Sequence, residues 1–149
     1  MNQTKAKEYL RNQVLTAPKE QLLLMLFDGA IRFAEQGKTK MLEQQCEESC
    51  ALLIRAQRIM IELITSLDKN VLPEEVYTNL VRLYNFVYFR LIDANLKKNA
   101  EKIDEALKIL QSLRETWALA IEKDRREKFP GIQLREKAQE TQKSIEVRG

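Results

Sequence analysis

The sequence predicts an all-α protein: an antiparallel up-down four-helix bundle with a short N-terminal arm or helix and a charged C-terminal tail. Three observations predict it. Apolar residues recur at gaps of three and four over four stretches of about 22 to 26 residues, the period of an amphipathic helix. The chain of 149 residues holds only 4 Gly and 3 Pro, far below the roughly 12% of average usage, so the punctuation that strands and hairpins need is missing. The connections between the stretches are short, and short connections make sequence neighbours antiparallel neighbours.

The same counts exclude much chemistry. With His 0 there is no Ser-His-Asp or Cys-His nucleophile and no His-ligated zinc, and four scattered glycines form no phosphate-cradling loop. The net charge of +3 comes from 25 basic and 22 acidic residues interspersed along the chain. A duplex-binding domain concentrates its Lys and Arg, and no such block is present. Without an apolar run of signal or membrane-span type, the expected location is the cytosol. Cys46 and Cys50, four apart in a helical run, are expected as thiols rather than a disulfide or a metal site. Nothing implies a cofactor or a metal.

Residues 1–16 are polar except for Tyr9, Leu10, Val14 and Leu15, and are expected as an arm. The bundle is expected over residues 17–128, with helices at about 18–43, 46–67, 74–97 and 99–124. Pro18 suits the first turn of the first helix, capped by Thr16 or Ala17. Two apolar lines follow, one of Leu23, Leu26, Ala30, Phe33, Gly37 and Met41, the other of Leu24, Phe27, Ile31 and Ala34. Local rules would end this helix at Gly37, yet Gly37 also lies on the inner line, where a glycine lets a neighbouring helix approach closely; the residues alone leave the end open between 37 and 45. Asp28, beside Gly29 in this apolar run, needs a partner and is expected to anchor a neighbouring helix or the arm.

The second helix carries Cys46, Ser49, Leu53, Ala56, Met60, Leu63 and Leu67 at alternating gaps of three and four, a bundle-type seam. Pro73 opens the third, with Glu74 and Glu75 complementing the helix dipole in its first turn. The fourth follows Asn99, with Ile103, Leu107, Leu110, Leu113, Trp117 and Ile121 on its apolar face. Pro130-Gly131 closes the compact part, and residues 129–149 are expected as a charged tail or a marginal helix around Leu134, Ala138 and Ile145.

The third helix has more apolar surface than one stripe requires. Val76, Leu80, Leu83, Val87, Leu91 and Ala94 make an inner line; Tyr77, Val81, Tyr84, Tyr88 and Ile92 make a second, about 100° round the helix, with Phe86 and Phe89 on the remaining arc. The second line either packs on a neighbouring helix or arm or forms a groove for a partner helix, for which tyrosine offers wide contact area and a polar tip. The acidic groups Glu43, Glu47, Glu48 and Glu101, Asp104, Glu105 are expected as solvated faces, since a di-iron bundle needs Glu-x-x-His pairs.

Three blocks resemble the flagellar export chaperone FliS family: VLTAPKEQLLLMLFDGAIRF at residues 14–33, LLIRAQRIMIELITSLD at 52–68 and LYNFVYFRLIDANLKKN at 83–99. Trp117 stands where that family commonly has a tryptophan, and Asp28, Gly29, Gly37 and Trp117 are expected in structural roles. Two features depart from the pattern: the family's Ser-Pro before the first helix is here Pro18-Lys19, and the glycine of its turn after that helix has no counterpart near 43–45. The resemblance favours Gly37 as a mid-helix packing residue, with the break near 44. It implies a cytosolic chaperone that binds the disordered C-terminal segment of flagellin, prevents premature polymerisation and delivers it to the type III export gate. The partner-binding residues are then expected among Tyr9, Leu10, Val14 and Leu15 of the arm and Tyr77, Val81, Tyr84, Tyr88, Phe89 and Ile92 of the third helix, with the free protein a monomer or homodimer. The competing expectation is a helical adaptor that dimerises through the surplus stripe without a flagellin client.

Overall fold

The computed structural model describes residues 4–8 and 18–128. Among the described residues there are four long helices, a helical stretch at 4–8 and no strand. The long helices are α1 (Lys19–Leu42), α2 (Cys46–Ser66), α3 (Glu74–Lys97) and α4 (Ala100–Lys128). The expected arm residues Tyr9, Leu10, Val14 and Leu15 and the tail 129–149 lie outside the described residues. The chain divides into two compact units between Arg114 and Glu115, within the single bundle expected over 17–128.

Backbone chemistry sets the helix ends. Pro18 is the cap of α1 rather than part of its first turn: its ψ of 155° is extended, and its carbonyl accepts the first helical bond from Leu22 N–H at 2.8 Å. Pro73 does the same for α3, accepting from Tyr77 N–H at 2.9 Å. At neither cap does a side chain bond the free amides, the consequence of proline standing where serine or aspartate is preferred. The end of α1 is closed by Gln44, held in the left-handed region at φ 61°. Gln44 N–H donates to Met41 O and Gln45 N–H to Lys40 O, at 3.0 and 2.9 Å, the paired bonds that usually form around a glycine. The break therefore falls at 43–45 without one, and Gly37 lies inside α1. Between α3 and α4, Lys98 is left-handed at φ 52° and Asn99 Oδ1 accepts from Glu101 N–H at 3.0 Å, which starts α4. That helix runs four residues past the expected 124, and Arg125, Arg126 and Lys128 suit the negative end of its dipole.

Within residues 18–114 the helices form a bundle whose neighbours run antiparallel. Lys38 pairs with Asp104 at 2.6 Å and Asp28 with Arg114 at 2.7 Å, so ten residues up α1 match ten down α4. Arg90–Glu105 and Asp93–Lys102 give α3 and α4 the same relation. Along α1 and α2 the approach is close: an added Cβ on Gly37 would stand 2.9 Å from Leu53 Cδ2, and one on Gly29 would stand 3.1 Å from Ile59 Cδ1. Ser49, buried on α2, donates its hydroxyl to Gly37 O at 2.8 Å, which removes the cost of burying it. The core fills in with Phe27, Ala30 and Ala34 of α1, Leu53, Ala56, Met60 and Leu63 of α2, Tyr84, Val87, Leu91 and Ala94 of α3, and Ile103, Leu107 and Leu110 of α4. Each large side chain of that set contributes about 1.5–3 kcal/mol by leaving water.

Asp28 has the interhelical partner its position required, but at half exposure rather than in the core. An exposed pair contributes about 0–1 kcal/mol, so it fixes register more than it stabilises. It also holds the Arg114 guanidinium pKa above its ordinary value through their hydrogen bond. Trp117 is half-buried on α4, beyond the division after Arg114.

Candidate functional site

The inner face of α3 is the arc of Tyr84, Val87, Leu91 and Ala94, all buried. This corrects two expectations. Tyr84, assigned to a partner-binding stripe, has no exposed surface: its ring meets Phe27 of α1 edge-on, centroids 6.0 Å apart, through the middle of the bundle. It is a core residue. Val76, assigned to the inner line, is exposed, because it lies in the first turn of α3, ahead of the buried stretch.

The rest of the second stripe behaves differently. Tyr77, Val81, Tyr88 and Ile92 are half-buried. They lie on the flank of α3 next to α2, since Asn95, on that same flank, donates its amide N–H to Cys50 Sγ at 3.3 Å. Further round, Phe89 is 61% exposed and stacks edge-on against Tyr88 with centroids 5.3 Å apart; Leu96, about two turns along the same face, is 77% exposed. Phe86, also exposed, lies on the α4 side under the Arg90 guanidinium, 5.0 Å from its ring centre.

Two residues on α2 extend this surface. Ile54 and Ile61 are 37% and 45% exposed and share one face at a spacing of seven. Counting down the antiparallel pair from Cys50 and Asn95 brings Ile54 level with Leu91 and Ile92, and Ile61 level with Val81 to Tyr88. The outer side of α2 and α3 is therefore an apolar strip of branched aliphatics on one helix and aromatics on the other. Sequence reasoning missed the isoleucines because the seam accounted for α2; their signal was a second line of Ile54, Ile61 and Ile64 beside it.

Such a surface can hold an amphipathic segment, whose apolar side chains lie between two helices and cover what water now touches. Among the described residues no three His, Cys, Asp or Glu are placed to hold a metal ion, and no helix is long and apolar enough to cross a membrane.

Known proteins share both the sequence and the fold. The family model described as Flagellar protein FliS matches residues 1–124. The flagellar secretion chaperone FliS of Bacillus subtilis (strain 168) is 29% identical over 120 residues, 80% of this chain and 88% of that protein. The protein of the same name from Campylobacter jejuni is 31% identical over 109 residues, 73% of this chain and 84% of its own length. A solved bacterial flagellar chaperone superposes with a TM-score of 0.66 over 83% of this chain and 99% of its own, at 18% identity, which carries the fold. With the family pattern running through the arm, the bundle and most of α4, the chain belongs to the Flagellar protein FliS family.

Proposed function

We propose that the protein is a cytosolic flagellar export chaperone that holds the disordered C-terminal segment of flagellin on the outer side of α2 and α3, keeps it from polymerising prematurely and presents it to the type III export apparatus. The observation that carries the binding surface is the strip of Ile54, Ile61, Phe89 and Leu96, left in solvent on two helices whose inner faces are already filled. Membership of the FliS family and relatives named flagellar secretion chaperones support the role.

The physics suits a carrier. A segment that buries its apolar face only in a filament is exposed before assembly, and the strip substitutes for the missing neighbours. Ordering the segment on binding costs part of the gross interaction energy, which keeps the complex releasable. Tyr77, Val81, Tyr88 and Ile92 line the inner edge of the strip, and Phe89 marks its outer edge. Tyr9, Leu10, Val14 and Leu15 belong to the same reading as further partner-binding residues.

Calorimetry tests this directly. Flagellin is expected to bind and flagellin lacking its C-terminal segment is not; equal binding of both, or of neither, defeats the proposal. Phe89→Glu and Ile61→Glu are expected to weaken binding at least tenfold with helicity and Tm unchanged. Sedimentation of the free protein addresses the adaptor: a homodimer that persists when flagellin is added would support it over the chaperone.

A further inference from the structure

On the α1–α2 side of the molecule, the ring of Phe33 of α1 has two guanidinium groups near it: that of Arg32, 5.3 Å from its centre, and that of Arg55 from α2, 5.7 Å away. Those two distances limit the separation of the guanidiniums to 11.0 Å. Arg58 follows Arg55 by three residues on the same exposed flank of α2. Among the described residues none of the three arginines forms an ion pair, although acids stand within reach in sequence. Asp28, four before Arg32, is turned to Arg114 on α4. Glu48, seven before Arg55, is held by Lys40 at 3.2 Å, and the Lys40 ammonium pKa is raised mainly by that hydrogen bond. Glu62, four after Arg58, makes no pair with it.

Stacking matters for what such a cluster can do. A guanidinium held near a ring is restrained in orientation, while its five N–H donors lie in its own plane and stay available. Two carboxylates on a flexible segment, spaced by one or two helical turns, reach two guanidiniums 11 Å apart or less. A nucleic acid fits poorly, because its phosphates form a continuous line that exposed Glu35 and Glu62 interrupt, whereas carboxylates spaced to meet the guanidiniums can leave neutral residues opposite those two acids.

We propose that Arg32 and Arg55 around Phe33, with Arg58 at the border of the α2–α3 strip, form a second docking surface for a carboxylate-rich segment of a partner protein. The charges left without an internal partner define that partner as acidic. The proposal does not depend on flagellin being the client of the strip.

The test uses the full chain and a fluorescein-labelled twelve-residue peptide with glutamate at every third and fourth position, read by anisotropy. Binding is expected to weaken steeply as salt rises from 50 to 500 mM. Arg32→Glu with Arg55→Glu should weaken it at least tenfold, and Arg32→Lys with Arg55→Lys should lose most of that, because an ammonium keeps the charge without the paired donors. Arg82→Glu, at an exposed arginine on α3, should change nothing. Equal loss with Arg82→Glu, wild-type affinity in the lysine variant, or an oligonucleotide of the same length binding as tightly as the peptide would each overturn the proposal. Flagellin binding by the Arg32→Glu, Arg55→Glu protein is expected to be unaltered, which keeps a failure here separate from a failure of the strip.

Discussion

The two sides of α2 follow opposite rules. Toward α1 it meets a neighbour so close that Gly37 has no room for a methyl group, and its one buried polar side chain, Ser49, is bonded to that neighbour's backbone. Toward α3 it leaves Ile54 and Ile61 partly in water, beside aromatics that are also partly wet. Stability is concentrated where the contact is tight. A loosely covered apolar edge costs little in the free protein and is available to something else, so the two sides should respond differently to the same kind of substitution.

The largest expected effect separates two aromatic residues five apart on α3. Tyr84→Ala removes a fully buried ring from the centre of the bundle and should cost about 3–5 kcal/mol, a large share of the stability of a domain this size. Phe89→Ala exchanges a side chain already mostly in solvent and should stay within about 0.5 kcal/mol. Urea unfolding of both variants measures the difference. Similar losses would mean that the strip belongs to the core and is no binding surface.

A smaller contrast lies within the tight side. Alanine at a mid-helix glycine gains about 1 kcal/mol of helix propensity. At Gly37 the new Cβ would press on Leu53 Cδ2 at 2.9 Å and Cγ at 3.0 Å, in a side chain with no exposed surface. Overpacking of that kind costs about 1–3 kcal/mol, so Gly37→Ala should be net destabilising by about 1 kcal/mol. At Gly29 the nearest atom is the end of the half-buried Ile59 at 3.1 Å, which can yield by a few tenths of an ångström. Gly29→Ala should be neutral or slightly stabilising. A thermal melt that placed Gly37→Ala at or above Gly29→Ala would remove the claim that the seam is tightest at the Gly37 end.

The tight side was legible in the sequence and the open side only in part. The gaps from Ser49 to Leu63 match the helical period, and those residues are the buried ones, because a seam facing one neighbour throughout keeps one phase. The end of α1 was harder: the local rule points to Gly37, while the chain turns at Gln44, paying for a left-handed non-glycine residue with two backbone bonds. On α3 the wheel places Tyr84 on the second apolar line, at the edge nearest the first. Its burial depends on where Phe27 of another helix stands, which no periodicity within α3 contains. Ile54 and Ile61 were visible as apolar positions, but their exposure depends on how far α3 reaches round α2.

The smallest effect belongs to the part of α4 after Arg114. There Glu122 accepts from Arg125 at 2.8 Å and from Arg126 at 3.0 Å, one turn along its own helix, with all three side chains substantially exposed. Those bonds, Arg125 first, hold the Glu122 carboxyl down to about 2. A carboxylate whose pKa is lower folded than unfolded stabilises its helix at every pH above the ordinary carboxylate range, and that contribution fades as pH falls from the ordinary range toward 2. The loss should be confined to the last turns of α4 and small, because exposed pairs are screened and i,i+4 contacts are weak. Carbon-detected NMR titration of the Glu122 carboxyl should give a midpoint near 2 at low salt, rising toward the usual range in 1 M NaCl. Glu122→Gln should flatten the acid dependence of the amide shifts in these turns while leaving those of α1 and α2 unchanged. A Glu122 midpoint in the ordinary carboxylate range at low salt would show that the two arginines do not hold it.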